Sequence, residues 1–145
     1  MVSVTLEWAG DLTFRNAEGS PSIELHSSTK GIPSPPEALA YAVIGCMGMD
    51  VVYVLRKGRH RLDALRVQFS GERAAEPPRR FVSMTVTFDV TTSAEAHVVE
   101  RAIALSREKY CSVWHTIRPD VELATAFVLR APVGEPTSPP SATEN

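Results

Sequence analysis

A chain of 145 residues, 43% hydrophobic and 22% charged, suits one globular domain around one core and is short for two. The 17 acidic and 15 basic residues leave a formal net charge of −2 with no long Lys/Arg run, so nucleic acid is excluded as a default partner. Pro, Gly or charged residues interrupt every apolar stretch before it reaches the roughly 20 residues of a bilayer span, so no membrane segment is expected.

Val2, Val4, Leu6 and Trp8 alternate with Ser3, Thr5 and Glu7, the period-2 pattern of a strand with one buried face. These residues lack the basic start and apolar run of about 7 to 15 residues that a secretory signal needs, so a cytoplasmic protein is expected. Ala9-Gly10-Asp11 reads as a turn, Leu12-Thr13-Phe14 as a second strand, Glu18-Gly19-Ser20-Pro21 as a turn, and residues 22–26 as a third strand. Connections this short predict an antiparallel meander.

Pro33, Pro35 and Pro36 hold residues 31–36 extended. Ser34, Pro35, Pro36 and Glu37 then form a helix start, since proline is accepted in a first turn and a carboxylate there is favourable; the helix is predicted to reach residue 55 or 57. Between Ala38 and Leu55 only Asp50 is clearly polar, so this helix should be buried on most sides. Little remains in so short a chain to wrap it, and a homodimer is expected. Ala38, Ala42 and Gly45, at i, i+4 and i+7, offer a face where a second helix approaches closely; packing within one chain is the other way to cover it.

Leu65, Val67 and Phe69, then Val82, Met84, Val86, Phe88 and Val90, alternate as two strands joined through Pro77-Pro78-Arg79-Arg80, a predicted hairpin. Thr92 and Glu95 have the spacing of a capping box. Val98, Ala102 and Leu105, with Val99, Ile103 and Ser106, stripe a second helix over residues 93–109. Residues 111–117 read as a short helical piece ended before Pro119, and Val121, Leu123, Thr125, Phe127 and Leu129 as a last strand. The expectation is an α+β single domain over residues 1–130, followed by a Pro-rich tail, 131–145, whose composition predicts disorder.

Two cysteines carry the chemical interest. Cys46 lies mid-helix among apolar residues, and Cys111 lies where the second helix breaks. Two buried thiols acting as small hydrophobes fit this pattern. A metal site fits it too, with Cys111 and His115 at i, i+4 and Asp50 four residues after Cys46. So does Cys–His nucleophilic catalysis with His115 as base. In a reducing compartment a redox or sensing pair is a further reading, and it requires a thiolate: an ordinary Cys with pKa about 8.5 is only a few per cent ionised at pH 7. An ionised Asp50 on the Cys46 face works against that, so a cation or backbone donors must come from tertiary structure.

Ser34-Pro35-Pro36-Glu37-Ala38-Leu39 followed by Gly45-Cys46 resembles the Pro-Glu-Leu helix start that leads to the first cysteine of the OsmC/Ohr family, the osmotically inducible and organic hydroperoxide resistance proteins. Glu108-Lys109-Tyr110-Cys111-Ser112-Val113 resembles the segment around that family's second cysteine, and the order of predicted elements agrees over residues 1 to 130. Asp50-Val51-Val52 and Lys57-Gly58-Arg59, with these segments, resemble a YhfA-like branch. The resemblance implies an OsmC-like fold: an intertwined homodimer with long central cysteine-bearing helices wrapped by antiparallel β-sheets.

It also implies a thiol-dependent peroxidase acting on organic hydroperoxides. Cys46 becomes a sulfenic acid, Cys111 condenses with it to a disulfide, and an external dithiol restores both, with no cofactor or metal. The apolar surroundings of Cys46 suit a hydrophobic peroxide. The family's catalytic Glu stands ten residues before the first cysteine, where this chain has Pro36, so Glu37 is the catalytic candidate. On a regular helix nine steps turn about 900°, setting Glu37 roughly opposite Cys46. Arg15 is the nearest counterpart of the family's partner Arg. The alternative function is a non-peroxidase dimeric protein that binds a ligand or senses redox state through the apolar cleft at Cys46.

Overall fold

In the computed structural model of the protein, residues 5–10, 13–18 and 21–134 are described. Val2, Val4, Leu12, the Gly19-Ser20 turn and the tail beyond Gly134 therefore lie outside the described residues. The chain divides into two units, Met1–Val43 and Ile44–Asn145, with the division inside one long helix.

The first unit contains β1 (Leu6–Trp8), β2 (Thr13–Asn16) and β3 (Glu24–His26), paired antiparallel in that order as the short connections predict. Gly10 ends the first strand at φ +95°, a conformation open to a residue without Cβ. After β3 the His26 ring takes over the turn: its Nδ1 accepts from the backbone N–H groups of Ser28 and Thr29, each at 3.0 Å. The chain then enters α1 (Pro35–Lys57), whose first two residues are prolines without N–H groups to satisfy.

In the second unit α1 continues from Ile44 and is followed by β4 (Leu62–Arg73), β5 (Phe81–Thr92), α2 (Ala96–Leu105), a π-helical turn (Ser106–Tyr110), α3 (Ser112–Thr116) and β6 (Glu122–Arg130). The predicted hairpin is present, with Val67 opposite Phe88 and Phe69 opposite Val86. Along β5 Met84, Val86, Phe88, Val90 and Thr92 are all buried, the period-2 face read from the sequence. They share the core with Met47, Val51 and Leu55 of α1 and with Val99, Ala102 and Ile103 of α2. Gly48 permits the helix to lie close on the sheet, since a Cβ there would meet Val67 Cγ2 at 3.3 Å.

Four expectations need correction. The sheet is not wholly antiparallel: β6 runs parallel to β5, because the chain crosses over through α2 and α3 and returns in the same direction. Bidentate bonds from Arg130 to Asp89, at 2.7 and 3.0 Å, fasten that pair. Thr92 is no helix cap; its hydroxyl donates to Arg61 O at 2.6 Å and accepts from Ala94 N, while Glu95 occupies the cap position without a side-chain bond. The second helix does not stay α-helical to its end.

The fourth concerns α1, which is long and apolar enough to cross a bilayer by length and composition, contrary to the initial expectation. Nor is it buried on most sides within one chain: opposite Met47, Val51 and Leu55, Met49 is 74% and Tyr53 60% exposed. Length and composition do not separate a membrane span from the central helix of a water-soluble fold.

The second-unit core makes a direct prediction. Phe88 is its largest fully buried side chain, so Phe88→Ala should cost about 3–5 kcal/mol in denaturant unfolding. A loss under about 1 kcal/mol would show that β5 does not face a packed interior.

Candidate functional site

Cys46 sits mid-helix on α1 and is partly exposed; Asp50 follows one turn later on the same face. Across from them α2 changes register. Its last turn widens to a π turn, ending where Cys111 N donates to Ser106 O at 2.9 Å. Such an extra residue in a helix re-aims the side chains beyond it. Cys111 is then extended (φ −72°, ψ 98°) and caps α3, its Sγ accepting from Trp114 N at 3.3 Å.

His115 pins the backbone of this corner. Its Nδ1 lies 2.7 Å from Cys111 O and its Nε2 3.0 Å from Glu108 O, so both ring nitrogens face main-chain carbonyls. A ring occupied in this way is not aimed as a base or metal ligand toward Cys111, which disfavours both readings that paired those two residues.

The two cysteines, separated in sequence, are brought together with Asp50: one donor atom from each of Cys46, Asp50 and Cys111 lies within 4.8 Å of the others. Both thiols are free. Ser112 Oγ lies 4.0 Å from Cys46 Sγ, and Ser106 Oγ donates to Asp50 Oδ2 at 2.7 Å. Ser106 is fully buried, as is Cys111. Ser106 and Ser112 were missed as site residues, although Ser106 was legible as a polar residue on the apolar stripe of the second helix.

Burial pushes the Cys111 thiol up to about 11; the Trp114 N–H opposes the rise, and Cys46 and Asp50 add to it. The charged neighbours acting on Cys111 are thus negative, and the backbone donor required of the fold serves Cys111 rather than Cys46. Among the described residues these three are close enough to be weighed as a metal site, but a thiol held protonated by burial is a poor ligand in it.

Glu37 belongs to the first unit and forms a capping box with Ser34. Its Oε2 accepts from Ser34 N at 2.8 Å and Ser34 Oγ at 2.9 Å, while Ser34 Oγ accepts from Glu37 N at 3.4 Å. The Ser34 backbone N–H, followed by its hydroxyl, holds the carboxyl below its ordinary range. Arg15 lies in β2 opposite Glu7 and Glu24, and its side chain is outside what the structure describes.

Comparison with known proteins places these features in a wider group. The profile of the OsmC-like protein family matches residues 3–126. Protein YhfA of Escherichia coli strain K12 is 38% identical over 125 residues, covering 84% of this chain and 93% of that protein. Among solved structures, a hypothetical protein from Aquifex aeolicus VF5 superposes with a TM-score of 0.81 at 26% identity, over 90% of this chain and 96% of that one. An organic hydroperoxide resistance protein OsmC from Legionella pneumophila superposes at 0.68 and 15% identity, over 88% and 97%.

Two pH responses follow from the site. In Cys46→Ser, Cys111 is the sole thiol, and its alkylation rate in native protein should still be rising near pH 9, because burial, the largest cause of its raised pKa, remains and the thiolate is the reacting form. A plateau below that pH would contradict the buried, protonated thiol. Glu37→Gln should lower the melting temperature at pH 7. The depressed carboxylate contributes stability above its ordinary value of 4.5 and loses it as pH falls through the lowered one, so the wild-type advantage should vanish in acid.

Proposed function

The chain belongs to the OsmC-like family, and from that premise we propose that it is a thiol-dependent peroxidase that reduces organic hydroperoxides. The observation that carries this reading is the proximity of the Cys46 and Cys111 sulfurs, with Cys46 the more accessible of the two. The description of the Legionella protein as an organic hydroperoxide resistance protein suggests the substrate class.

The Cys46 thiolate attacks one peroxide oxygen, the O–O bond breaks, and the alkoxide leaves as an alcohol after taking a proton. Cys46 is left as a sulfenic acid. The Cys111 sulfur then displaces the sulfenic oxygen as water and forms the disulfide. An external dithiol reduces it, becoming a disulfide itself, as a reducing cytoplasm permits. The protected Cys111 thiol suits the resolving part, because it waits protonated until Cys46 is oxidised. No metal or organic cofactor takes part in this cycle.

A homodimer belongs to the same proposal. Met49 and Tyr53 present an apolar surface on α1, Leu39 and Tyr41 are exposed earlier on that helix, and a Cβ at Gly45 would meet nothing within 4 Å. A second copy of the helix is the natural cover. The family resemblance also assigns Glu37 a catalytic part, which the turnover of Glu37→Gln measures independently of its stability.

Treating reduced protein with one equivalent of an organic hydroperoxide tests the reading. Both thiols should disappear with a mass decrease of two hydrogens. Cys111→Ser should stop at a trappable sulfenic acid, and Cys46→Ser should not react. Persistence of both wild-type thiols would defeat the peroxidase reading and favour a ligand-binding or redox-sensing role.

A further inference from the structure

We propose that Asp50 is the proton carrier of the disulfide-forming step and that Ser106 is its positioning residue. The inference rests on the peroxidase reading and adds a catalytic residue to it. Its starting point is an electrostatic cost. A carboxylate beside Cys111 opposes ionisation of that thiol, yet Asp50 lies within 4.8 Å of both sulfurs. A purely structural tie to Ser106 needs no charge, because an Asn side-chain carbonyl would accept the same 2.7 Å hydrogen bond. The carboxylate has a use beyond that tie when the chemistry requires a base.

The condensation requires one. Cys46–SOH and Cys111–SH give the disulfide and water: the S–O bond breaks, the S–S bond forms, and the Cys111 sulfur is oxidised as the Cys46 sulfur is reduced. The Cys111 proton must leave its sulfur and a proton must reach the departing oxygen. Burial keeps that thiol protonated at neutral pH, and among the described residues the backbone N–H of Trp114 is the hydrogen-bond donor that favours its ionisation. Direct release to solvent is therefore slow.

Asp50 accepts the proton as the S–S bond forms and delivers it to the leaving oxygen, so the step neither gains nor loses a proton overall. The charge that disfavours a Cys111 thiolate disappears as the carboxylate is protonated. The donor atoms of Cys46, Asp50 and Cys111 all lie within 4.8 Å of one another. The sulfenic oxygen added to Cys46 therefore arrives beside both the carboxylate and the second thiol, where one carboxylate can serve both ends of the transfer. Ser106, buried at the start of the π turn, holds Oδ2 and thereby the orientation of the carboxylate.

The test separates the two chemical steps. Reduced wild type, Asp50→Asn and Ser106→Ala are mixed with an organic hydroperoxide in the presence of a chelator, then quenched over time with a sulfenic-acid trap and analysed by mass. In Asp50→Asn, Cys46 should oxidise at least as fast as in wild type, while disulfide formation slows by about 100-fold or more and trapped sulfenic acid accumulates. Its condensation rate should then rise with pH, as expected when Cys111 must ionise by itself, whereas the wild-type rate is flatter.

Ser106→Ala keeps the charge and should slow the same step less, which supplies a second measure should Asp50→Asn fold poorly. Disulfide formation at the wild-type rate and pH dependence in these variants would overturn the inference while leaving the peroxidase reading intact. Wild-type protein that never loses its thiols would overturn both.

Discussion

The hydrogen bond from Ser106 Oγ to Asp50 Oδ2 joins residues 56 apart in sequence and ties the end of α2 to the middle of α1. On this tie depends where the π turn ends and hence where Cys111 emerges. The π turn closes through Cys111 N to Ser106 O, so the residue holding Asp50 is also the one that terminates the helix. Ser106 is fully buried, so losing its partner strands a hydroxyl. That penalty, about 1–3 kcal/mol for a buried unsatisfied group, makes the arrangement specific.

Around this anchor two chemically identical side chains are treated unequally. Cys46 remains partly open on α1, whereas Cys111 is enclosed and raised to about 11. A thiol held protonated in this way is poorly suited to attack on a dilute peroxide but meets no obstacle in a neighbour-assisted step. Burial is the largest cause of the rise, so in the proposed cycle the two thiols differ chiefly through packing and secondarily through Cys46 and Asp50.

Much of this fold is legible where a local period meets a simple environment. The β5 alternation, the Pro35-Pro36 start of α1 and the short turns of the first sheet each follow from nearest-neighbour geometry. The parallel seating of β6 does not, because strand direction depends on the crossover and not on the strand's own residues. Thr92 shows the limit of motif spacing: its hydroxyl satisfies Arg61 O across the hairpin instead of starting a helix. The cysteine pair was legible through family resemblance, whereas the meeting of Asp50 with both sulfurs depends on the π turn, which has no local pattern in Ser106-Arg107-Glu108-Lys109-Tyr110.

The exposed side of α1 connects assembly to chemistry. Met49 immediately precedes Asp50, and Tyr53 lies one turn beyond Met49. In the proposed dimer, a second helix covering these residues removes water from the flank of the helix that carries Cys46. Burying apolar surface there favours association at about 25 cal/mol per Å² and leaves a carbon-lined approach to the thiol. A hydrogen peroxide molecule gains little from such a wall, whereas the alkyl group of an organic hydroperoxide gains the transfer free energy of each buried methylene, about 0.8 kcal/mol. Substrate preference in this reading therefore comes from the subunit contact, while the order of the two thiol reactions comes from the burial of Cys111 within one chain.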